Sequence, residues 1–434
     1  MSETRPNLVL VSIDSLRADH CGFLGDDRGL TPTMDELADD GVTFETAIAP
    51  GPQTFSSMPA VFTSHHRPTG DLETYPGETN WKRRLAAIDG HLRRHPSLPE
   101  RLTELGYSTA GFSPNLWASA ASGFDRGFDY FADLAGEPAD SRLHTLLSRT
   151  PGVDETSKPV ELTLDMLSGN SFFTRWQQFY DELDAVRRRL SEPYFLWVFL
   201  LDTHFPFLPT RTYRQEQSLL RMYLNTARTE KVMRGHAETV STRARESMQR
   251  SYRDTVRSVD GFLQRIRSDL ASDDPVMIVH SDHGESFNEH DNYGHHHREL
   301  YEENIHVPYV VSNASTTGTI TEPTSLATIP EVALTIAREG AFTPETVADT
   351  GVVSRCEYGT HQAVRYPRFK YVEHEDEQSL FDLENDHRET VDVSDEYPGR
   401  IADSRARLAR LERHDRETHE LSRAARNLAV ECNL

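Results

Sequence analysis

Three apolar runs in this 434-residue chain stop at side chains that can hold a cation or move a proton. Leu8 to Ile13 stops at Asp14, Tyr194 to Leu201 runs into Asp202 and His204, and Val276 to Val279 reaches Asp282 and His283. Carboxylate oxygens and imidazole nitrogens are the donors that divalent ions take from proteins. In open α/β sheets, ligands bind beyond the carboxyl ends of the strands. One acid at a strand end is commonplace; three strands ending this way form a pattern. Asp282-His283-Gly284-Glu285 is the densest piece, because adjacent Asp and His offer an oxygen and a nitrogen to one ion and Gly284 lets the backbone pass close to a ligand. The bland alternative is that Asp282 caps a helix and His283 packs in a turn.

Other residues divide between chemistry and structure. Arg17 follows Asp14 closely and reads either as a planar fork for a substrate anion or as half of a structural ion pair. Asn115, after a second strand signal, reads as a substrate contact or a turn former. His65-His66 and His295-His296-His297 look metal-rich, but consecutive histidines cannot all face one ion. Glu285, Glu289 and His290 read as outer support for the site or as surface.

These groups need a scaffold that brings distant segments together. Nearly unbroken apolar runs such as YFLWVFLL imply central strands buried on both faces. Tyr107 to Phe112 and His306 to Ser312 add further strands. Between them lie helical stretches: Thr33 to Ala38, LPERLTELG, and a long polar segment in which Val256, Val259, Leu263 and Ile266 share one face. Strands alternating with helices predict an α/β sheet sandwiched by helices. Helical periodicity broken by Pro and Gly marks 135–190 as an insertion or cap. After about residue 345 the pattern changes to short strand-like pieces, with FKYVEHEDEQSLFDL as a hairpin, and then to a charged helix carrying Leu408 and Leu411. The expected organisation is a catalytic unit over 1–345 and a small C-terminal sheet subdomain with its helix over 346–434.

Net charge narrows the partners. At −23, with 4 lysines and 42 arginines, the surface repels nucleic-acid phosphates. Excess carboxylate with little lysine also suits a very salty cytosol, where repulsion is screened; a GC-rich genome favouring arginine codons is the alternative source of the bias. Cys21, Cys356 and Cys432 form no disulfide framework and no paired zinc spacing. The first residues, MSETRPNLVLVSID, read as a strand rather than a signal peptide, and no run approaches the roughly 20 apolar residues of a membrane span. The expectation is a halophilic, cytoplasmic protein with no membrane span.

Taken in order, IDSLRADH, TPTMDELADDGVTFETAIAPGPQTFSSMPAVFTS, FLLDTHFPF, SDHGESFNEH and YGHHHRELYEENIHVPYVV resemble the sulfatase branch of the alkaline phosphatase superfamily, and FKYVEHEDEQSLFDLENDHRETVDV is similar to that family's C-terminal segment. The resemblance spans about residues 5 to 395. It implies an alkaline-phosphatase-like, mostly parallel central sheet flanked by helices, and a metal-dependent hydrolase of sulfate or phosphate esters. It also implies metal ligation by Asp14, Asp282 and His283. The family's nucleophile opens the helix after the Pro-rich loop, a position that counting back from AVFTS gives as Thr54, itself a further metal ligand. His204 corresponds to a substrate-binding and catalytic histidine, and His295 or His297 to a group on the ester oxygens. One divalent ion is implied, of the set Mn²⁺, Zn²⁺, Mg²⁺ or Ca²⁺. A second ion is the less favoured alternative: Pro206 stands where two-zinc relatives place a histidine, and His204 is the substitute ligand it would need.

Two departures shift the chemistry. Formylglycine sulfatases carry Cys or Ser followed by x-Pro-x-Arg, whereas Thr54 is followed by Phe55-Ser56-Ser57-Met58, and threonine cannot mature to formylglycine. Ser57-Met58-Pro59 mimics that motif shifted by three, but Val61 stands where the arginine belongs. Ser15 replaces a second aspartate, which implies a smaller metal shell. A threonine nucleophile tilts the expectation toward phosphorus. The alternatives are a phosphotransferase moving a head group to an alcohol, and a non-catalytic anion-binding regulator. The substrate class implied is a small-molecule or glycan ester.

Overall fold

The computed structural model describes residues 5–67, 79–135, 174–233, 240–296, 298–374 and 377–431. An eight-stranded sheet organises them. In chain order its strands are β1 (Leu8–Ile13), β2 (Gly41–Phe44), β3 (Ser108–Ser113), β4 (Tyr130–Asp133), β5 (Tyr194–Leu200), β6 (Val276–Ser281), β7 (Tyr309–Ser312) and β8 (Gly318–Ile320). They lie side by side as β8-β2-β7-β6-β1-β5-β3-β4. All pairings are parallel except those of β7, which runs against both β6 and β2.

The apolar runs become central strands because both faces of the sheet are covered. Successive side chains point to opposite faces. Leu8, Leu10, Trp197, Phe199 and Ile278 therefore join one core, while Val9, Val11, Ile13, Leu196, Val198 and Val279 join the other. The first core is closed by α2 (Thr54–Thr63) and α5 (Ile329–Glu339). The second is closed by α1 (Pro32–Asp39), α3 (Trp176–Arg187) and α4 (Thr242–Asp269), whose Val256, Val259, Leu263 and Ile266 are buried as their spacing requires. Each such large apolar side chain contributes about 1.5–3 kcal/mol when fully buried, so the strand ends that carry the chemistry rest on a rigid base.

Residues 136–173 of the expected 135–190 cap lie outside the described residues. Its last part is no cap: α3 buries Trp176, Phe179, Tyr180 and Leu183 against the sheet. The C-terminal sheet is antiparallel, ordered β9 (Val352–Arg355), β10 (His361–Arg365), β11 (Phe369–His374), β12 (Glu377–Asp382). Val364, Tyr371 and Leu380 from it pack with Ile401 and Leu408 of the long α6 (Pro398–Glu431). Among the described residues no helix is long and apolar enough to cross a membrane.

Candidate active site

The register of the sheet brings the polar strand ends to one level. Ile13 sits between Leu200 of β5 and Ser281 of β6, so Asp14 and Asp282 leave the sheet side by side. Their backbones continue the ladder: the Asp14 N–H donates to Leu200 O at 2.9 Å and the Asp282 N–H to Ile13 O at 3.0 Å. Beyond them the chain turns sharply, with Ser15 at a left-handed φ of 63°. A non-glycine residue holds that conformation only when its surroundings fix it. Tyr252 of α4 does so, donating to Ser15 O at 2.7 Å and accepting the Arg17 N–H at 3.0 Å.

Asp14, Asp282 and His283 are fully buried, and one ligand atom from each lies within 4.8 Å of the others. His283 Nε2 is 3.5 Å from Asp14 Oδ1 and 3.7 Å from Asp282 Oδ2. The other ring nitrogen, Nδ1, donates to the Gly284 carbonyl at 2.9 Å, which leaves the Nε2 lone pair facing the carboxylates. Burial, with His295 alongside, pushes the His283 ring down to about 3, so it is neutral. Burial and the neighbouring Asp14 charge hold the Asp282 carboxyl well above its ordinary range. Burial acts on Asp14 in the same sense, but His204, His283 and His295 outweigh it and draw the carboxyl below its usual value.

Thr54 is the first residue of α2, whose ten residues are all buried. Its hydroxyl stands 3.4 Å from His283 Nε2 and accepts from the Asn115 amide at 3.3 Å. The same Asn115 Nδ2 donates to Asp14 Oδ2 at 2.7 Å, while its Oδ1 accepts the Trp117 N–H at 2.8 Å. Asn115 thus caps a turn and contacts both the Thr54 hydroxyl and the Asp14 carboxylate. His204 and His295 complete a file of rings, with centroids 5.0 Å apart and His295 4.5 Å from His283. His295 Nδ1 lies 3.2 Å from Glu285 Oε2. Burial alone would lower that imidazole, but the Glu285 charge more than offsets it and raises it above the ordinary histidine value.

A divalent ion fits this set. The donors are two carboxylates, a neutral imidazole and a hydroxyl, and Asp282 Oδ2 is a buried oxygen with no hydrogen-bond partner among the described residues. A buried unsatisfied carboxylate oxygen is costly unless a cation meets it.

Four sequence expectations are redirected. Arg17 is held by carboxylates instead of standing open to a substrate anion: its fork donates to Asp19 at 2.8 and 2.6 Å, to Glu289 at 2.8 Å and to Glu285 O at 3.0 Å. Asp202 turns away from the ion site, accepting from Ser258 at 2.9 Å and from the Trp176 N–H at 3.3 Å, and burial raises it to about 6. Gly284 is needed for close approach to protein, not ligand, since a Cβ there would stand 2.0 Å from Glu303 O. His65 stacks on His95 at 4.4 Å, and His95 lies tilted against His91 at 4.7 Å. His297 lies outside the described residues. Missed from the sequence was Thr203, which donates to Asp14 O at 2.5 Å; Ser15 and Glu285 are singled out there, but not their partners, Asp14 Oδ1 at 2.8 Å for the Ser15 hydroxyl and His295 for Glu285. No spacing rule points to them.

A family model described as Sulfatase matches residues 6–335. The chain belongs to the sulfatase family. A curated arylsulfatase of Clostridium perfringens is 23% identical over 235 residues, 48% of this sulfatase-family chain and 45% of that protein, so the match spans less than half of the relative. Among solved structures, the phosphonate monoester hydrolase of Agrobacterium radiobacter superposes with a TM-score of 0.64 at 18% identity, covering 95% of this chain and 96% of that one. A 2-O GAG sulfatase gives 0.63 at 16%, covering 96% and 94%. The soluble domain of lipooligosaccharide phosphoethanolamine transferase A from Neisseria meningitidis gives 0.53 at 16%, covering 80% and 92%. At these identities the superpositions establish a shared fold.

Proposed function

We propose that this chain is a metal-dependent hydrolase of phosphate mono- or diesters, or of sulfate esters, working through a covalent intermediate on Thr54. The observation that carries the reading is the Thr54 hydroxyl at the head of α2, within hydrogen-bond reach of Asn115 and His283 beside the buried Asp14–Asp282–His283 group. Asp14, Asp282 and His283, with Thr54, would hold the cation. Bound there, a divalent ion supplies charge that lowers the pKa of a coordinated hydroxyl and stabilises the oxygens of the transferred group.

Thr54 Oγ1, its proton passed to solvent water, forms a bond to phosphorus or sulfur as the bond to the alcohol oxygen breaks. Asn115 fixes the hydroxyl through its amide. His295, whose proton Glu285 stabilises, protonates the departing alcohol oxygen, and His204 donates to the non-bridging oxygens. A water then attacks the threonine ester, releases phosphate or sulfate and restores the hydroxyl. The absence of a Cys or Ser at this position, and so of a formylglycine precursor, favours phosphorus. The phosphotransferase reading shares the first half of this scheme and differs only in the acceptor, as the likeness to a phosphoethanolamine transferase allows.

The test is turnover of p-nitrophenyl phosphate, its diester analogue and p-nitrophenyl sulfate with Mn²⁺, Zn²⁺, Mg²⁺ or Ca²⁺, in high salt because the net charge of −23 needs screening. A labelled adduct mapped by mass spectrometry to Thr54 is the expected result. An adduct on Ser57, whose buried Oγ has no hydrogen-bond partner among the described residues, would move the nucleophile. Product appearing on an added alcohol marks transfer, and tight anion binding without turnover marks a regulator.

A further inference from the structure

Residues 286–294 form a short hairpin, Ser286–Phe287 paired with Tyr293–Gly294. Its base is in the candidate active site: Glu285 precedes the first arm, His295 follows the second, and the two side chains meet at 3.2 Å. Its tip reaches the C-terminal subdomain through His290. Nδ1 of that ring is 3.0 Å from Glu303 Oε1, and Nε2 is 3.0 Å from Arg388 O and 3.3 Å from Glu389 O. A carboxylate and two carbonyls only accept. A neutral imidazole has one N–H, so both contacts are hydrogen bonds only when the ring carries both protons. The ring also lies flat on Tyr301, at a centroid distance of 3.5 Å and an angle of 6°, where a cation is favoured by the aromatic face.

The tip is not relaxed. Asn288, His290 and Asp291 all have left-handed backbones, at φ of 80°, 50° and 60°. Such backbones are uncommon without glycine, and the loop holds them with its own bonds, Asn288 N–H to Asn292 O at 2.6 Å and Asn292 Nδ2 to His290 O at 3.0 Å, together with contacts from outside. His290 supplies those contacts on one side. On the other, Glu289 takes the Arg17 fork at 2.8 Å. Glu303, which holds His290, also accepts the Glu285 N–H on its carbonyl at 3.0 Å. The clip at the tip and the catalytic pair at the base therefore share one support.

We propose that His290 is a positioning residue: held as an imidazolium, it fastens the hairpin to the Arg388–Glu389 segment and so keeps Glu285 seated against His295. This rests on the role given above to His295. The charged groups around the ring are Glu303, Glu299 and Glu389 from the facing segments, Glu289 and Asp291 on its own loop, and Lys370 beyond Glu389. Burial lowers the ring's proton affinity, but Glu303 and then Glu389 outweigh it, and the net shift is upward. The clip is thus complete at pH below the unfolded histidine value and opens as pH rises through the higher folded value.

The experiment uses ¹⁵N-histidine-labelled full-length protein loaded with Mg²⁺, with ring nitrogens followed by long-range ¹H–¹⁵N spectra. The His290 signal is the one lost in His290→Gln. The expected result is an imidazolium at neutral pH that titrates above an ordinary histidine, together with a shifted His295 signal in the variant. A neutral single-tautomer ring, or a His295 signal indifferent to the variant, overturns the proposal. These readouts need no turnover, so they separate this idea from failure of the hydrolase reading. Where turnover is found, the wild-type rate should fall as pH rises through the folded His290 value, and His290→Gln lowers kcat/KM by about 10–100-fold and removes that fall. His290→Lys, which keeps the charge, recovers part of the rate near neutral pH. A variant with the wild-type rate and pH profile also overturns the proposal.

Discussion

Two buried carboxylate clusters in this protein have opposite relations to positive charge. At the junction of the C-terminal sheet, Glu302 and Glu389 enclose Lys370, whose Nζ is 3.2 Å from one and 2.8 Å from the other, and Arg365 Nε adds a contact at 3.2 Å. Burial would raise Glu302, but Arg365 and Lys370 overcome it and hold the carboxyl far below its usual range. At the ends of β1 and β6, the contacts of Asp14 and Asp282 are to histidine nitrogens, a serine hydroxyl, an asparagine amide and backbone N–H groups. Burial raises one carboxyl in each cluster, Glu389 to about 7 beside Lys370 and Asp282 well above its ordinary range beside Asp14. Where the chain brings its own cation, the cluster is a structural joint. Where the carboxylates meet histidines and neutral donors rather than a lysine or arginine, the cluster offers a ligand set that a cation from outside fits.

The largest effect falls on the second cluster's neighbour. Thr54→Ala should reduce turnover on the order of 10³-fold or more while leaving thermal stability near that of the wild type; retention of the rate would remove the hydroxyl from the chemistry. Next, Lys370→Met should cost about 3–5 kcal/mol in denaturant unfolding, because Glu389 is left buried without its cation and Glu302 is left with Arg365. That loss should be the same with and without added metal, and a metal-dependent loss would blur the distinction between the clusters.

Third, Mn²⁺ at about 100 times its Kd should stabilise the wild type by about 2.7 kcal/mol. Asp282→Asn should abolish that gain. Without metal it should be more stable than the wild type, since it removes repulsion with Asp14. Asp282 is raised in the metal-free fold, so its ionisation there opposes stability as pH rises through the folded value. Metal uptake should accordingly tighten with pH and release protons, which calorimetry in two buffers reads. Smallest, Asn115→Ala should lower kcat/KM by about 10–100-fold with the metal still bound, because only an orienting amide is lost.

Much of this was legible in the chain. Continuous apolar runs with a polar stop give both the central strands and the level at which Asp14 and Asp282 emerge, since parallel register follows from burial on both faces. The reversal of β7 was not legible, because a short apolar strand reads the same in either direction. Asp202 misleads for a related reason. Its strand is in register with β1, but the direction of a side chain beyond a strand end depends on the turn that follows, and here Ser258 and the Trp176 N–H take it. Asn115 looked ambiguous because one amide has two ends, and it uses both. The Glu285–His295 pair spans a hairpin of two-residue arms, too short for any periodicity to show.

The central claim is tested most directly by anomalous diffraction from crystals of the full chain loaded with Mn²⁺. A single strong peak is expected about 2.0–2.3 Å from oxygens of Asp14 and Asp282 and from His283 Nε2, with Thr54 Oγ1 at its edge. A peak elsewhere, or no peak at these residues under saturating metal, would contradict it.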